Sequence, residues 1–160
     1  MFDEELAHWI SEEVCFPNSM VDRITPVTTA ELIQDLERDF GIVDEWPVFA
    51  EDFSYWVIEY KFLLGRPKWE TAGALFTDDV LPYAKMKLRL LNGSGFALAY
   101  LSAVHGHRRV DKATRDPLIR RFTLGYIDEC TSTAPPVPGI NLYEYKQSIV
   151  DRFSNSQLCD

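Results

Sequence analysis

The stretch KLRLLNGSG places Lys87 five residues before Asn92, with Gly93, Ser94 and Gly95 directly after. A lysine and an amide that face one cleft suit carbonyl or alcohol chemistry. A lysine withdrawn from water loses proton affinity and can take the proton of an alcohol. An asparagine amide can donate to the alkoxide that develops as that proton leaves. The spacing complicates this pairing. On an α-helix, at about 100° per residue, the two side chains point about 140° apart, and less if the glycines distort the helix. Each interior glycine also costs about 0.5–1 kcal/mol relative to alanine, and Asn92 competes for backbone hydrogen bonds. Glycine suits such a position when a ligand or another backbone comes close. On spacing alone the plainer explanation is favoured: a solvated Lys87, and glycines that let helices pack closely.

Other polar residues can be weighed the same way. FPNSMVDRITP, Phe16 to Pro26, sets Asn18, Asp22 and Arg23 between two prolines. Pro17 and Pro26 disfavour helix before them, so the segment reads as an ordered loop anchored by Met20, Val21 and Ile24. Taken alone, it is a surface turn with a local Asp22–Arg23 charge pair. In DRFSN, Arg152 and Asn155 either reach a substrate, or Arg152 pairs on the helix surface with Asp151 or Glu144. His105 and His107 in VHGHRRV lack a third metal ligand and read as charge at a helix end. Cys15, Cys130 and Cys159 are widely spaced with no CxxC, which makes neither a disulfide framework nor a zinc pattern. Reduced thiols and a cytoplasmic setting follow as the expectation. Cys15 reads as a small buried residue, and Trp9, Trp46, Trp56 and Trp69 as core or domain-contact residues.

The elements that must position these groups follow from periodicity. Phe2, Leu6, Trp9 and Ile10 give an amphipathic helix from Phe2 to Val14, with Asp3 as cap. TTAELIQDLERDFG is a second helix, capped by Thr28 or Thr29 and ended at Gly41. YWVIEYKF and ALFT read as strands, close enough in sequence for a small antiparallel pair. The longest helical signal, Pro82 to Ala103, carries Lys87 and Asn92. A further helix around DKATRDPLIRRFTLGYIDECTS breaks near Asp116-Pro117. NLYEYKQSIVDRFSN is the last helix, with Asn141 as cap. The sum is mainly α with a small β insertion (α+β). At 160 residues one sizeable core is possible, and 46% hydrophobic residues argue for a folded chain. A net charge of −9 repels phosphate backbones, which argues against nucleic acid as a partner. The apolar runs are too short to cross a bilayer, and the acidic start lacks the form of a signal peptide.

Two of these stretches together resemble the polyol-specific long-chain dehydrogenase/reductase family of mannitol dehydrogenases and fructuronate and tagaturonate reductases. FPNSMVDRITP looks like the family signature. EWPVFAEDFSYWVIEYKF, GRP, DDVLPYAKMKLRLLNGS and DRFSN follow in the family's order, so the likeness runs from about Leu6 to Asp160. The resemblance implies a metal-independent oxidoreductase. It would move a hydride between NAD or NADP and the secondary alcohol or ketone carbon of a sugar alcohol or sugar acid. It makes Lys87 the general acid/base and Asn92 the group that holds the oxyanion and substrate. It places Asp22 and Val21 beside the nicotinamide, with Asp22 and Arg152 as further substrate-facing candidates.

Departures from the family pattern matter as much. Gly95 stands where the family carries a substrate-orienting histidine, a change worth on the order of tens- to hundreds-fold in positioning. Tyr60 stands where an aspartate is expected after WVIE. No GxGxxG turn and no βαβ run are present. The expectation is therefore the helical substrate domain of a two-domain dehydrogenase, lacking the Rossmann domain. Residues 1–27 would end the cofactor-domain region, and 28–160 would be a truncated helical domain like the mannitol dehydrogenase C-terminal one. Its partners would be a sugar alcohol or sugar acid and a missing dinucleotide-binding domain. Alone, such a chain should bind NAD poorly and expose apolar surface. Gly95 and the absent domain favour an alternative, a non-catalytic remnant or interaction module that keeps the fold.

Overall fold

Strand β1 (Ser19–Asp22) occupies the segment that its prolines mark as a loop. In the computed structural model, which describes residues 3–157, the four residues between Asn18 and Arg23 pair along a sheet edge. Pro17 and Pro26 lie outside the paired residues, so neither interrupts the ladder. Side chains alternate along a strand: Met20 and Asp22 point inward, while Val21 is 55% exposed and anchors nothing.

Strand β2 (Tyr55–Glu59) is central, with β1 antiparallel on one side and β3 (Ala74–Thr77) on the other. The β2–β3 pair is parallel, not antiparallel as expected. A parallel return needs a crossover of about a dozen residues. Residues 60–73 supply it, with a 3₁₀ turn at Trp69–Ala72 before β3. The sheet is therefore not a small insertion within a helical domain. It gathers three strands of the first half of the chain, and the helices from Leu81 onward form the second half.

Helix α1 (Glu4–Glu13) is capped by Asp3, whose Oδ1 accepts from the Glu5 and Leu6 amides; Phe2 lies outside the described residues. Helix α2 (Ala30–Phe40) is capped by Thr29 and closed by Gly41 at φ 65°, the left-handed conformation glycine adopts freely. Neither helix contributes a buried residue. Trp9 and Trp46 are more than half exposed, so they are not core, whereas Trp56 packs against Trp69 with ring centroids 5.5 Å apart.

The long helix forms in three continuous segments: α3 (Leu81–Met86), a π-helical turn (Lys87–Asn92) and α4 (Gly93–Val104). The wide turn is closed by Gly93, whose amide donates to the Leu88 carbonyl five residues back. A β-carbon on Gly93 would lie 2.7 Å from Tyr126 Oη, so the missing side chain admits a tyrosine from the next long helix. Ser94 Oγ bonds back to the Leu90 and Leu91 carbonyls, a pattern that bends helices. Short α5 (Val110–Ala113) is followed by α6 (Pro117–Ser132), capped by Asp116 at the expected break, and α7 (Leu142–Phe153), capped by Asn141.

The main core joins the inner face of the sheet to α3, the π turn, α6 and α7, through Met20, Val57, Met86, Leu90, Ile127 and Ile149. A smaller cluster, Leu98, Ala113 and Ile119, holds α4 against α5 and α6. Among the described residues, no helix is long and apolar enough to cross a membrane.

Candidate active site

The π turn resolves the difficulty of the Lys87–Asn92 spacing. An α-helix sets residues five apart on different faces, but a turn with i→i+5 hydrogen bonds brings them nearly one above the other. Both side chains line one cavity of about 300 Å³. Gly95, Leu91 and Leu98 extend this wall. Arg23 and Ile24, after β1, line the same cavity, as do Val110 and, at the end of α7, Arg152, Phe153 and Asn155. Lys87 and Asn92 are half-buried. Among the described residues, neither side chain has a hydrogen-bond or ion-pair partner. Among the described residues no carboxylate lines the cavity, so the donors of Lys87 and Asn92 are free to meet an oxygen of a bound molecule.

Gly95 opens directly onto this space. A β-carbon there would meet only the Phe153 ring, at 3.6 Å, which is ordinary contact. A side chain at this position would therefore project toward the cavity without disturbing the backbone.

The opposite wall rests on a buried ionic cluster. Arg152 is 6% exposed and does not pair with Asp151 or Glu144. It grips Asp22 bidentately, with Nη2 to Oδ1 at 2.6 Å and Nη1 to Oδ2 at 3.2 Å. Its Nε and Nη2 donate to Glu51 at 2.7 to 3.1 Å. The pairing of Asp22 with Arg23 is thus corrected as well. Asp22 is fully buried because β1 turns it inward, and Arg23 Nε donates instead to the Glu51 carbonyl at 2.8 Å. Tyr145 Oη donates to Asp22 Oδ2 at 2.6 Å. The guanidinium also lies over the Phe53 ring, 4.0 Å from its centroid.

A guanidinium carries five N–H donors. Four are engaged by Asp22 and Glu51, leaving one Nη1 hydrogen. Burial alone would lower the affinity of Arg152 for its proton, but the hydrogen bonds and charges of Asp22 and Glu51 outweigh it and raise the pKa. Burial, followed by the charge and hydrogen bond of Asp22, pushes the Tyr145 phenol well above its ordinary value.

Of the residues singled out in the sequence, Lys87, Asn92, Arg152 and Asn155 share the cavity. Asp22 stands behind Arg152, and Val21 faces outward from β1. His107 faces Asp116, with 3.5 Å between Nε2 and Oδ2. Tyr60 lies at the edge of an aromatic group with Phe62 and Phe76. Two partners of the ionic cluster, Glu51 and Tyr145, carry no sequence signal beyond an acid and an aromatic within apolar stretches. Among the described residues, no three His, Cys, Asp or Glu side chains gather as a metal site.

Comparison with known proteins assigns both halves of the chain. Residues 79–160 match the family model of the mannitol dehydrogenase C-terminal domain, and residues 1–71 match that of the mannitol dehydrogenase Rossmann domain. The expectation that the Rossmann domain is lacking is therefore wrong. Its usual marks, the glycine-rich turn and the βαβ run, are local to one part of such a domain, and residues 1–71 carry a different part, with β1 and β2. A mannitol 2-dehydrogenase of Neosartorya fischeri is 43% identical over 160 residues, covering 98% of this chain and 32% of that protein. The structure of Pseudomonas fluorescens mannitol 2-dehydrogenase, a ternary complex with NAD and D-mannitol, superposes with a TM-score of 0.88 at 50% identity. That match covers 99% of this chain and 32% of the other. A substrate-free D-sorbitol dehydrogenase gives a TM-score of 0.90 at 38% identity, over 99% of this chain and 33% of the other. The chain thus spans about a third of the length of these relatives. With one family model on each half and the π-turn cavity between them, the chain belongs to the mannitol dehydrogenase family.

Proposed function

We propose that the cavity belongs to an NAD(P)-dependent oxidoreductase acting on a sugar alcohol or on the corresponding ketose or sugar acid, with no metal in the reaction. The observation that carries this reading is the shared placement of Lys87 and Asn92 on one wall, free of partners among the described residues. Lys87 Nζ takes the hydroxyl proton of the substrate in oxidation and returns it in reduction. The Asn92 amide donates to the oxygen as negative charge develops on it. Arg152, held from behind by Asp22, forms part of the rigid opposite wall, and its remaining Nη1 hydrogen is available to a substrate hydroxyl or carboxylate. The donor set fits a nicotinamide and an alcohol: amide and cationic donors, apolar Ile24, Leu91 and Leu98, and no carboxylate to repel an alkoxide. When bound, the nicotinamide supplies the hydride acceptor or donor. Val21, exposed beside Asp22, offers it an apolar contact. In this reading residues 1–27 border the cofactor.

The test is NAD(H)- and NADP(H)-dependent turnover against a panel of polyols, ketohexoses and hexuronates. Lys87→Ala should lower turnover by about 10²- to 10⁴-fold, and Asn92→Ala by about 10²- to 10³-fold. Turnover that survives Lys87→Ala would refute the assignment of the base.

Gly95 favours a second reading, a fold retained without its chemistry. The open space at this position predicts that Gly95→His is sterically accepted. A chain inactive both before and after that substitution supports the second reading.

A further inference from the structure

We infer that Glu51 is a positioning residue, a buried carboxylate that sets three lining residues of the cavity at once without touching the cavity itself. This rests on the reading of the cavity as an active site.

Glu51 is 4% exposed and absent from the cavity wall. Its side chain accepts three hydrogen bonds from Arg152 and one from the Ile24 amide, the last at 2.6 Å. Its main chain adds a second tie to the same segment: its amide donates to the Ile24 carbonyl at 3.1 Å, and its carbonyl accepts from Arg23 Nε. Arg23, Ile24 and Arg152 all line the cavity. Two of them follow β1 and the third ends α7, and Glu51 bridges the two elements.

The geometry separates Glu51 from Asp22, which also grips Arg152. Asp22 is fixed by its own strand pairing with Tyr55 and by Tyr145. Glu51 belongs to no helix or strand, between α2 and β2. Its orientation therefore depends on the bonds it makes, and so does the separation of the segment after β1 from α7. Glutamine at this position keeps the shape but turns an N–H₂ group toward donors that need an acceptor. Displacing reacting groups by about 1 Å costs on the order of 10²-fold in rate.

The experiment compares Glu51→Gln, and Glu51→Asp as the variant that keeps the buried charge, with the unsubstituted 160-residue chain. Hydrogen exchange is read at the Ile24 amide and at Arg152 Nε, with the amides of Leu98 and Ile119 in the second core as reference. Glu51→Gln should speed exchange at Ile24 and Arg152 at least about tenfold and leave the reference amides unchanged; Glu51→Asp should fall between. Unchanged exchange at Ile24 and Arg152, or equal acceleration at the reference amides, overturns the inference, the second because the role is then one of general stability. In turnover, Glu51→Gln should lower kcat/KM on the order of 10²-fold, with partial recovery in Glu51→Asp, and an unaltered kcat/KM also overturns it. If the unsubstituted chain turns over nothing, as its span of about a third of its relatives allows, exchange alone decides whether Glu51 sets the wall.

Discussion

The two walls of the cavity are built on opposite principles. The wall of Lys87, Asn92 and Gly95 owes its form to the backbone: a wide helical turn places side chains that no neighbour holds. The wall behind Arg152 owes its form to side chains. Two carboxyl groups, a phenol and an aromatic face fix one guanidinium, and little freedom is left. A site that must move a proton and still recognise a substrate needs both kinds. The group that exchanges a proton has to be free of fixed ion pairs, and the group that sets distance has to be immobile. Substitutions should therefore divide: in the first wall activity is lost with stability kept, and in the second stability is lost along with activity.

The largest effect on folding is expected at Arg152. Arg152→Ala leaves Asp22 and Glu51 buried without their partner and should destabilise the chain by about 3–5 kcal/mol, read by chemical denaturation. Lys87→Ala, by contrast, should leave the denaturation midpoint almost unmoved. Equal losses in the two variants would break the division between the walls.

A smaller effect is expected at Tyr145. Tyr145→Phe removes the hydrogen bond to Asp22 and should cost about 1.5–3 kcal/mol near neutral pH. The phenol's pKa is raised in the folded chain, so its contribution is full below pH 10, the ordinary tyrosine value. It is lost as pH rises toward the folded value. Denaturation followed above pH 10 should fall more steeply in the unsubstituted chain than in Tyr145→Phe.

Tyr55 sharpens the comparison from outside the cluster. Its hydroxyl is buried without a partner among the described residues, and burial first, then the charge of Tyr83, pushes its pKa up to about 12. Tyr55→Phe should change stability at neutral pH by less than about 1 kcal/mol, since no hydrogen bond is lost. It should also flatten the decline in stability between pH 10 and about 12. A large loss at neutral pH would mean that Tyr55 shares the role of Tyr145.

Much of this was legible in the sequence, and the parts that were not share a cause. The caps at Asp3, Asn141 and one of the two threonines, Thr29, the break at Asp116-Pro117 and the stop at Gly41 follow from local chemistry and stand where the sequence puts them. Lys87 and Asn92 stand out through residue type and the cost of their glycines, although α-helical arithmetic separates them. The π turn escapes that arithmetic, and the residue that fills the space beside Gly93, Tyr126, lies 33 positions away. The helix-surface alternative for Arg152 fails because its true partners, 101 and 130 positions distant, obey no spacing rule. Strand β1 was hidden by flanking prolines that a four-residue edge strand tolerates. Parallel pairing of β2 and β3 depends on the path of the crossover, which short-range pattern does not encode.

The wide turn also divides the long helix into two phases. Upstream, the inward stripe of Tyr83, Met86 and Leu90 faces the large core; downstream, Leu98 belongs to the smaller one. Losing one residue between Leu88 and Leu91 would let ordinary α winding span the gap with both halves still in phase, Lys87 and its asparagine then standing four residues and about 40° apart. Straightening the turn with every residue kept would instead set Lys87 and Asn92 about 140° apart and swing Leu98 away from Ala113 and Ile119. The wide turn thus carries one residue more than an α-turn could place on the same two faces, and the site depends on that extra residue staying in a wide turn.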